Sequence, residues 1–309
     1  MGTTGRRALA VLAAALLATG LMGAPARAGG DLPVPYTFLI SAVLGGTRVD
    51  ADPPGANEWS CRPTAEHPRP VVLVHGLLGN KNTNWQTYAP LLKNNGYCVY
   101  SLTYGVPAGT PVGLDQFGGL TRMQDSAVQL KEFVHRVLRS TGARQVDIVG
   151  HSEGTVVPQY YVKFLGGARD VKNYVAIAPL WHGTRLANTA TVVAKLFGLD
   201  PDSFPVCASC AQFAPGSPFM TKMRTGRIAV RGVDYTNIVT KYDELVSPYT
   251  SGIQRGMHNY VLQDSCAEDY SEHFEVVASP VAAQIVLNTL DPAEKKPVPC
   301  RLVLPFVGP

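Results

Sequence analysis

Gly150-His151-Ser152-Glu153-Gly154 sets a serine between two glycines, a spacing that can turn a hydroxyl group into a nucleophile. The spacing alone is cheap, since about 0.2 chance matches are expected in a chain of this length and glycine content. Its flanks carry the weight. Upstream, Gln145-Val146-Asp147-Ile148-Val149 is a short β-branched run ending on Gly150. Downstream, Val156, Tyr160, Tyr161, Phe164 and Leu165 recur at helical spacing until Gly166-Gly167 stops them. Strand, tight turn and helix lift the hydroxyl above the edge of a sheet, and the glycines permit the strained turn. The helix that starts there points its first N–H groups at any negative charge forming nearby.

An ester-cleaving serine needs a base for its proton, an acid to orient that base, and donors for the oxyanion. On an α/β-hydrolase sheet these follow in the chain order Ser, Asp or Glu, His, each at or just after a strand's carboxyl end. Asp243 comes directly after the expected strand Tyr235–Thr240 and is the expected acid. Its rivals are Glu244, which would point differently, and Asp234, at the wrong end of the strand. His273 lies between the last expected strand, His258–Leu262, and the final helix, where the base is required. His258 starts that strand, away from the elbow. The oxyanion donors are expected to be the backbone N–H groups of Glu153 and of Leu77, which follows His75-Gly76. His75 and His151 read as structural, and His67, His135 and His182 receive no chemistry.

The elements around these residues alternate. Pro70–Val74 reads as a buried strand, Trp85 to about Asn94 as a helix, and Gly96–Leu102 as a strand. Leu120–Ser140 is a helix with an apolar face, and Tyr174–Ala178 a further strand. Ser279 as N-cap and Pro280 at the first position open a helix running to Leu290. The β-α-β order predicts an α/β fold with a mostly parallel central sheet and helices on both faces. The Pro- and Gly-rich residues 29–60 read as an arm on the surface of a single domain, 61–309. Residues 181–226 break the rhythm. Their apolar segment Ala187–Leu199 suggests a lid-like insertion on the serine's side of the sheet, able to meet a lipid–water interface.

Arg6-Arg7, an apolar run from Ala8 to about Met22, and Ala26-Arg27-Ala28 form a secretory signal peptide, 1–28, with twin-arginine export left open. No later stretch is apolar enough to span a membrane. Without the leader, which holds three arginines and no acid, the net charge falls from +4 to +1. So even a balance gives no support to a nucleic-acid partner. Six cysteines in an exported chain should pair, and proximity favours Cys61–Cys98, Cys207–Cys210 and Cys266–Cys300 among the fifteen connectivities. Cys207-Ala208-Ser209-Cys210 lacks the second ligand pair of a zinc site. No metal, cofactor or obligate protein partner is expected.

Val72-Leu73-Val74-His75-Gly76, Asn84-Trp85, Gly96-Tyr97-Cys98-Val99 and the Ser152 pentapeptide resemble the secreted class 2 lipases of actinobacteria. So do Tyr242-Asp243-Glu244-Leu245-Val246-Ser247-Pro248 and the loop Cys266–His273, so that the resemblance covers roughly residues 54–292. It implies an α/β-hydrolase that cleaves carboxylic esters of glycerol, with Ser152, Asp243 and His273 as its triad. The family often has Gly in place of Thr155 and Leu-Gly in place of Phe274-Glu275; neither departure removes a catalytic group. The same triad would serve a polyester hydrolase or an acyltransferase. A non-catalytic surface protein of this fold should have lost a triad member, and none is missing.

Overall fold

Runs of β-branched and aromatic residues become the strands of one sheet in the computed structural model, which describes residues 30–185 and 207–309. The strands are β1 (Val71–Val74), β2 (Val99–Leu102), β3 (Val146–His151), β4 (Val171–Ile177), β5 (Asp234–Val239) and β6 (His258–Val261). Their order is β2-β1-β3-β4-β5-β6, and every neighbouring pair is parallel. From β1 the chain goes outward to β2, then crosses back over β1 to β3. The order therefore reverses between β1 and β3, which opens a crevice at their carboxyl ends. The loop after β1 and the serine after β3 meet there.

The strands are apolar on both faces because both faces are covered. Val71, Leu73, Val149, Val175 and Ile177 pack with α1 (Phe38–Gly46), α2 (Tyr88–Asn94) and the last helix, Pro280–Leu290. Val72, Val74, Ile148, Tyr174 and Ala176 face α3 (Met123–Thr141), α4 (Val156–Phe164) and α5 (Pro218–Arg224). Burying each large aliphatic side chain contributes about 1.5–3 kcal/mol, so the two layers hold the sheet rigid beneath the crevice. A single helical turn, α6 (Leu262–Ser265), follows β6, and the last helix is α7. Ser279 caps α7 as expected, accepting from the N–H groups of Val281 and Ala282 at 3.1 and 3.2 Å.

The elements differ from the sequence reading mainly at their ends. The helix expected from Trp85 starts at Tyr88, because Asn80 holds the preceding residues in a turn: its Oδ1 accepts from the N–H groups of Asn82 and Thr83, both at 2.8 Å. The strand expected from Gly96 starts at Val99, after Gly96 adopts φ +81°. The stretch expected as a surface arm is part of one compact unit, Leu32–Pro309, and carries α1. The expected leader 1–28 and the apolar segment Ala187–Leu199 lie outside the described residues. The described remainder of the expected lid contains α5 and the Cys207–Cys210 disulfide. Cys61–Cys98 and Cys266–Cys300 are the other two disulfides. Among the described residues, no helix is long and apolar enough to cross a membrane.

Candidate active site

Ser152 stands at the end of β3, at φ +54°, in the tight turn Ser152–Thr155 that leads into α4. A non-glycine residue at positive φ is strained, and such strain persists only where neighbours enforce it. Here the glycines do so by close approach. A β-carbon on Gly150 would overlap the Gly154 carbonyl, and one on Gly154 would overlap the Val74 carbonyl. The turn is thus wedged between β3 and β1.

His273 reaches the serine from the loop after α6, with Nε2 2.9 Å from Ser152 Oγ. Its Nδ1 lies 2.9 and 3.0 Å from the two carboxylate oxygens of Asp243, which follows β5. Asp243 Oδ1 also accepts from the N–H groups of Leu245 and Val246, at 3.0 and 2.7 Å. Glu244, the rival acid, accepts the main-chain N–H of His273 at 3.1 Å and is not seen bonded to its ring. Asp234 is exposed and paired with Lys172, and His258 is exposed at the start of β6. Burial opposes a charged His273. The Asp243 carboxylate, by charge and hydrogen bond, with help from Glu244 and Glu272, outweighs it and raises the pKa above 6.5.

The loop bearing His273 is tied down from several sides. The Cys266–Cys300 disulfide fixes its start, and Thr240 Oγ1 donates to the Ser271 carbonyl at 2.6 Å. Asp269 accepts from Ser271 N–H at 2.9 Å and from the Ser279 hydroxyl at 2.6 Å. His151, kept neutral by burial, bonds the His273 carbonyl at 3.0 Å through Nε2.

The loop after β1 closes the other side. A β-carbon on Gly76 would lie 3.1 Å from Ser152 Cβ, so the backbone entering Leu77 runs directly past the serine. Asn84 accepts Gly76 N–H at 3.1 Å, and His75 Nδ1–H donates to the Gly76 carbonyl at 2.7 Å. Its Nε2 accepts Tyr104 N–H at 3.2 Å. Burial lowers the His75 pKa to about 4, so the neutral ring can serve at once as donor and acceptor. A cavity of about 300 Å³ opens at Ser152 and His273, with Phe38, Leu77, Phe117, Phe213 and Phe274 among its walls. It is an apolar slot with the Ser152 hydroxyl and the His273 ring at one end.

Residues 68–286, more than two thirds of the chain, match the profile of the lipase (class 2) family. The chain belongs to that family. Among solved structures, it is similar to lipase B of Aspergillus fumigatus, with a TM-score of 0.60 at 19% identity. That match covers 80% of this chain and 57% of the fungal one, so the chain spans little over half of that relative. Lipase BlEst2 of Bacillus licheniformis in mature form gives a TM-score of 0.54 at 15% identity, covering 80% of this chain and 96% of that one. At these identities the likenesses establish the α/β-hydrolase fold. Family membership, not these likenesses, is what relates the chain to lipases.

Two features of this lipase-family site escape the sequence reading. The first is α1, which lines the cavity through Phe38, Ala42 and Val43. The second is a set of buried acids behind His273. Asp269, Glu272 and Glu275 make that loop look solvated, yet all three are buried. Burial pushes Glu272 up to about 7 and Glu275 up to about 8. Glu275 Oε2 accepts the N–H of Phe38, the first residue of α1, at 2.9 Å.

Proposed function

We propose that this chain is a secreted serine hydrolase of carboxylic esters, acting on acylglycerols and foremost on triacylglycerol through an acyl-enzyme. The observation that carries the reading is His273, held 2.9 Å from both Ser152 Oγ and an Asp243 oxygen at the mouth of an apolar cavity. Neutral His273 takes the serine proton at Nε2 as Oγ attacks the ester carbonyl. The charge that develops on the carbonyl oxygen is met by the N–H groups of Leu77 and Glu153. Asp243 holds Nδ1–H and stabilises the imidazolium, which then passes its proton to the departing alcohol. Water repeats the sequence, with His273 as base, to release the acid and free Ser152.

The apolar walls suit an acyl chain better than a polar substituent. On the outer face of α1, Ile40, Val43 and Leu44 are 57%, 62% and 65% exposed, and the helix carries no charged residue. Such a face beside the cavity favours a substrate presented in an oil phase over one free in water. The leader 1–28 and three disulfides suit export to an oxidising compartment. A chain-length series of p-nitrophenyl esters, followed by emulsified triolein, tests the substrate class. Activity should rise with acyl length and extend to triolein. Hydrolysis confined to acetate esters would refute the lipase reading.

A further inference from the structure

Glu153, next to the serine, is fully buried, and neither carboxyl oxygen has a well-aligned hydrogen-bond partner among the described residues. An ionised carboxylate is not tolerated in such a place, and burial raises its pKa well above 4.5. Its carboxyl group lies against Gly119. A β-carbon there would stand 3.0 Å from Glu153 Oε2 and 3.1 Å from Leu77 Cα. Gly119, at φ +77°, thus fills the gap between the two residues whose N–H groups serve the oxyanion in the reaction above. Its neighbour Gly118 is laced to the Leu77 loop: Leu78 N–H donates to the Gly118 carbonyl and Gly118 N–H to the Gly79 carbonyl, both at 2.9 Å.

On the far side, Ser209 sits inside the Cys207–Cys210 disulfide and donates its hydroxyl proton to the Gly119 carbonyl at 2.6 Å. That proton is therefore committed to the main chain and not to Glu153, whose two carboxyl oxygens have no hydrogen-bond partner among the described residues. An ionised Glu153 would find no donor there, so burial favours the protonated acid. We propose that Glu153 is a positioning residue that works as a neutral, proton-bearing acid, wedging Gly119 against Leu77 and so setting the spacing of the two oxyanion donors. The proposal rests on the serine-hydrolase reading. Loss of the Glu153 proton would also place a buried negative charge within a side chain's length of the oxyanion, a penalty of roughly a hundredfold in rate.

Among the described residues, the ionisable group acting on Glu153 is Tyr104, from the loop after β2, with His75 stacked on it at 4.1 Å and Tyr174 of β4 next to it. Burial holds both tyrosines well above 10 and His75 at about 4, so none changes charge from neutral to moderately alkaline pH. The test compares wild type, E153Q and E153A on a soluble ester from neutral to alkaline pH, with Tm recorded for each. In the wild type, kcat should fall as pH rises and Glu153 loses its proton, while KM changes little. E153Q keeps the shape of the protonated acid and cannot ionise, so that alkaline fall should be absent. E153A should lose about tenfold or more in kcat at neutral pH, and E153Q should recover most of that loss. An alkaline limb in E153Q that superimposes on the wild type, or wild-type kcat in E153A, overturns the proposal; if E153A does not fold, the comparison of E153Q with wild type decides alone. Fluorophosphonate labelling of wild-type Ser152 checks the underlying reading separately. No labelling refutes the serine chemistry, whereas labelling with unaltered kinetics in both variants refutes only the positioning role.

Discussion

Replacing Asp243 with asparagine changes one atom and should remove nearly all activity. Asp243 Oδ1 is fixed as an acceptor by the N–H groups of Leu245 and Val246. The amide of D243N must therefore keep its oxygen there and turn its NH₂ group to the Oδ2 position, 3.0 Å from His273 Nδ1. That NH₂ group repels an Nδ1 proton and leaves the neutral Oδ1, at 2.9 Å and already accepting two N–H groups, as its one weak acceptor. The ring therefore favours the tautomer protonated at Nε2, which takes no proton from Ser152. A triad held in the wrong tautomer loses about 10⁴-fold in kcat, equivalent to about 5 kcal/mol of barrier. The pH profile carries a second sign. Only neutral His273 is a base, so wild-type kcat/KM is lost as pH falls through a pKa raised above 6.5. D243N removes the charge that raises it while burial still lowers it, so its residual activity should persist to lower pH. The assay is a pH–rate profile on p-nitrophenyl butyrate for D243N and E244Q. E244Q, which keeps an acceptor for the main-chain N–H of His273 and removes a minor charge near its ring, should stay within about tenfold of wild type. A four-decade loss in E244Q with D243N near wild type would refute the reasoning.

Two further outcomes follow from the fold. C266S/C300S opens a closure of 34 residues that fixes the His273 loop, which should cost about 3–4 kcal/mol of stability; scanning calorimetry showing an unchanged Tm would contradict it. I40S/L44Q removes two large aliphatic side chains from the exposed face of α1 without touching the cavity. Adsorption to a triolein emulsion, measured by depletion from the aqueous phase, should fall about tenfold or more while soluble-ester kcat/KM holds, and equal adsorption would refute a lipid-facing role.

The parallel sheet was legible because its strands are covered on both faces and so read as unbroken apolar runs, as in Val71–Val74. That Ser152, Asp243 and His273 come within hydrogen-bond distance of one another was legible because a strand-end position in a known chain order leaves few candidates. The α1 helix was not. Its sequence has no side-chain cap at Thr37 and ends in two glycines, so local propensity gives it little support. Phe38 packs on Phe274, and Glu275, 237 residues away, accepts the helix's first N–H. Distance along the chain also hid the burial of Glu272 and Glu275. Glu272 accepts from Phe306 N–H in the tail, and Glu275 lies beside Gly308, so only the closed fold shows that these acids are covered. Glu153 was read through its main chain alone, because nothing local shows that its side chain points inward onto Gly119.

The central claim is that Ser152 becomes acylated with His273 as its base. Intact-protein and peptide mass spectrometry after fluorophosphonate treatment tests it most directly. One adduct per chain is predicted, on Ser152, absent from S152A and strongly slowed in H273A. An adduct on another residue, or ester hydrolysis undiminished in S152A, would contradict the account.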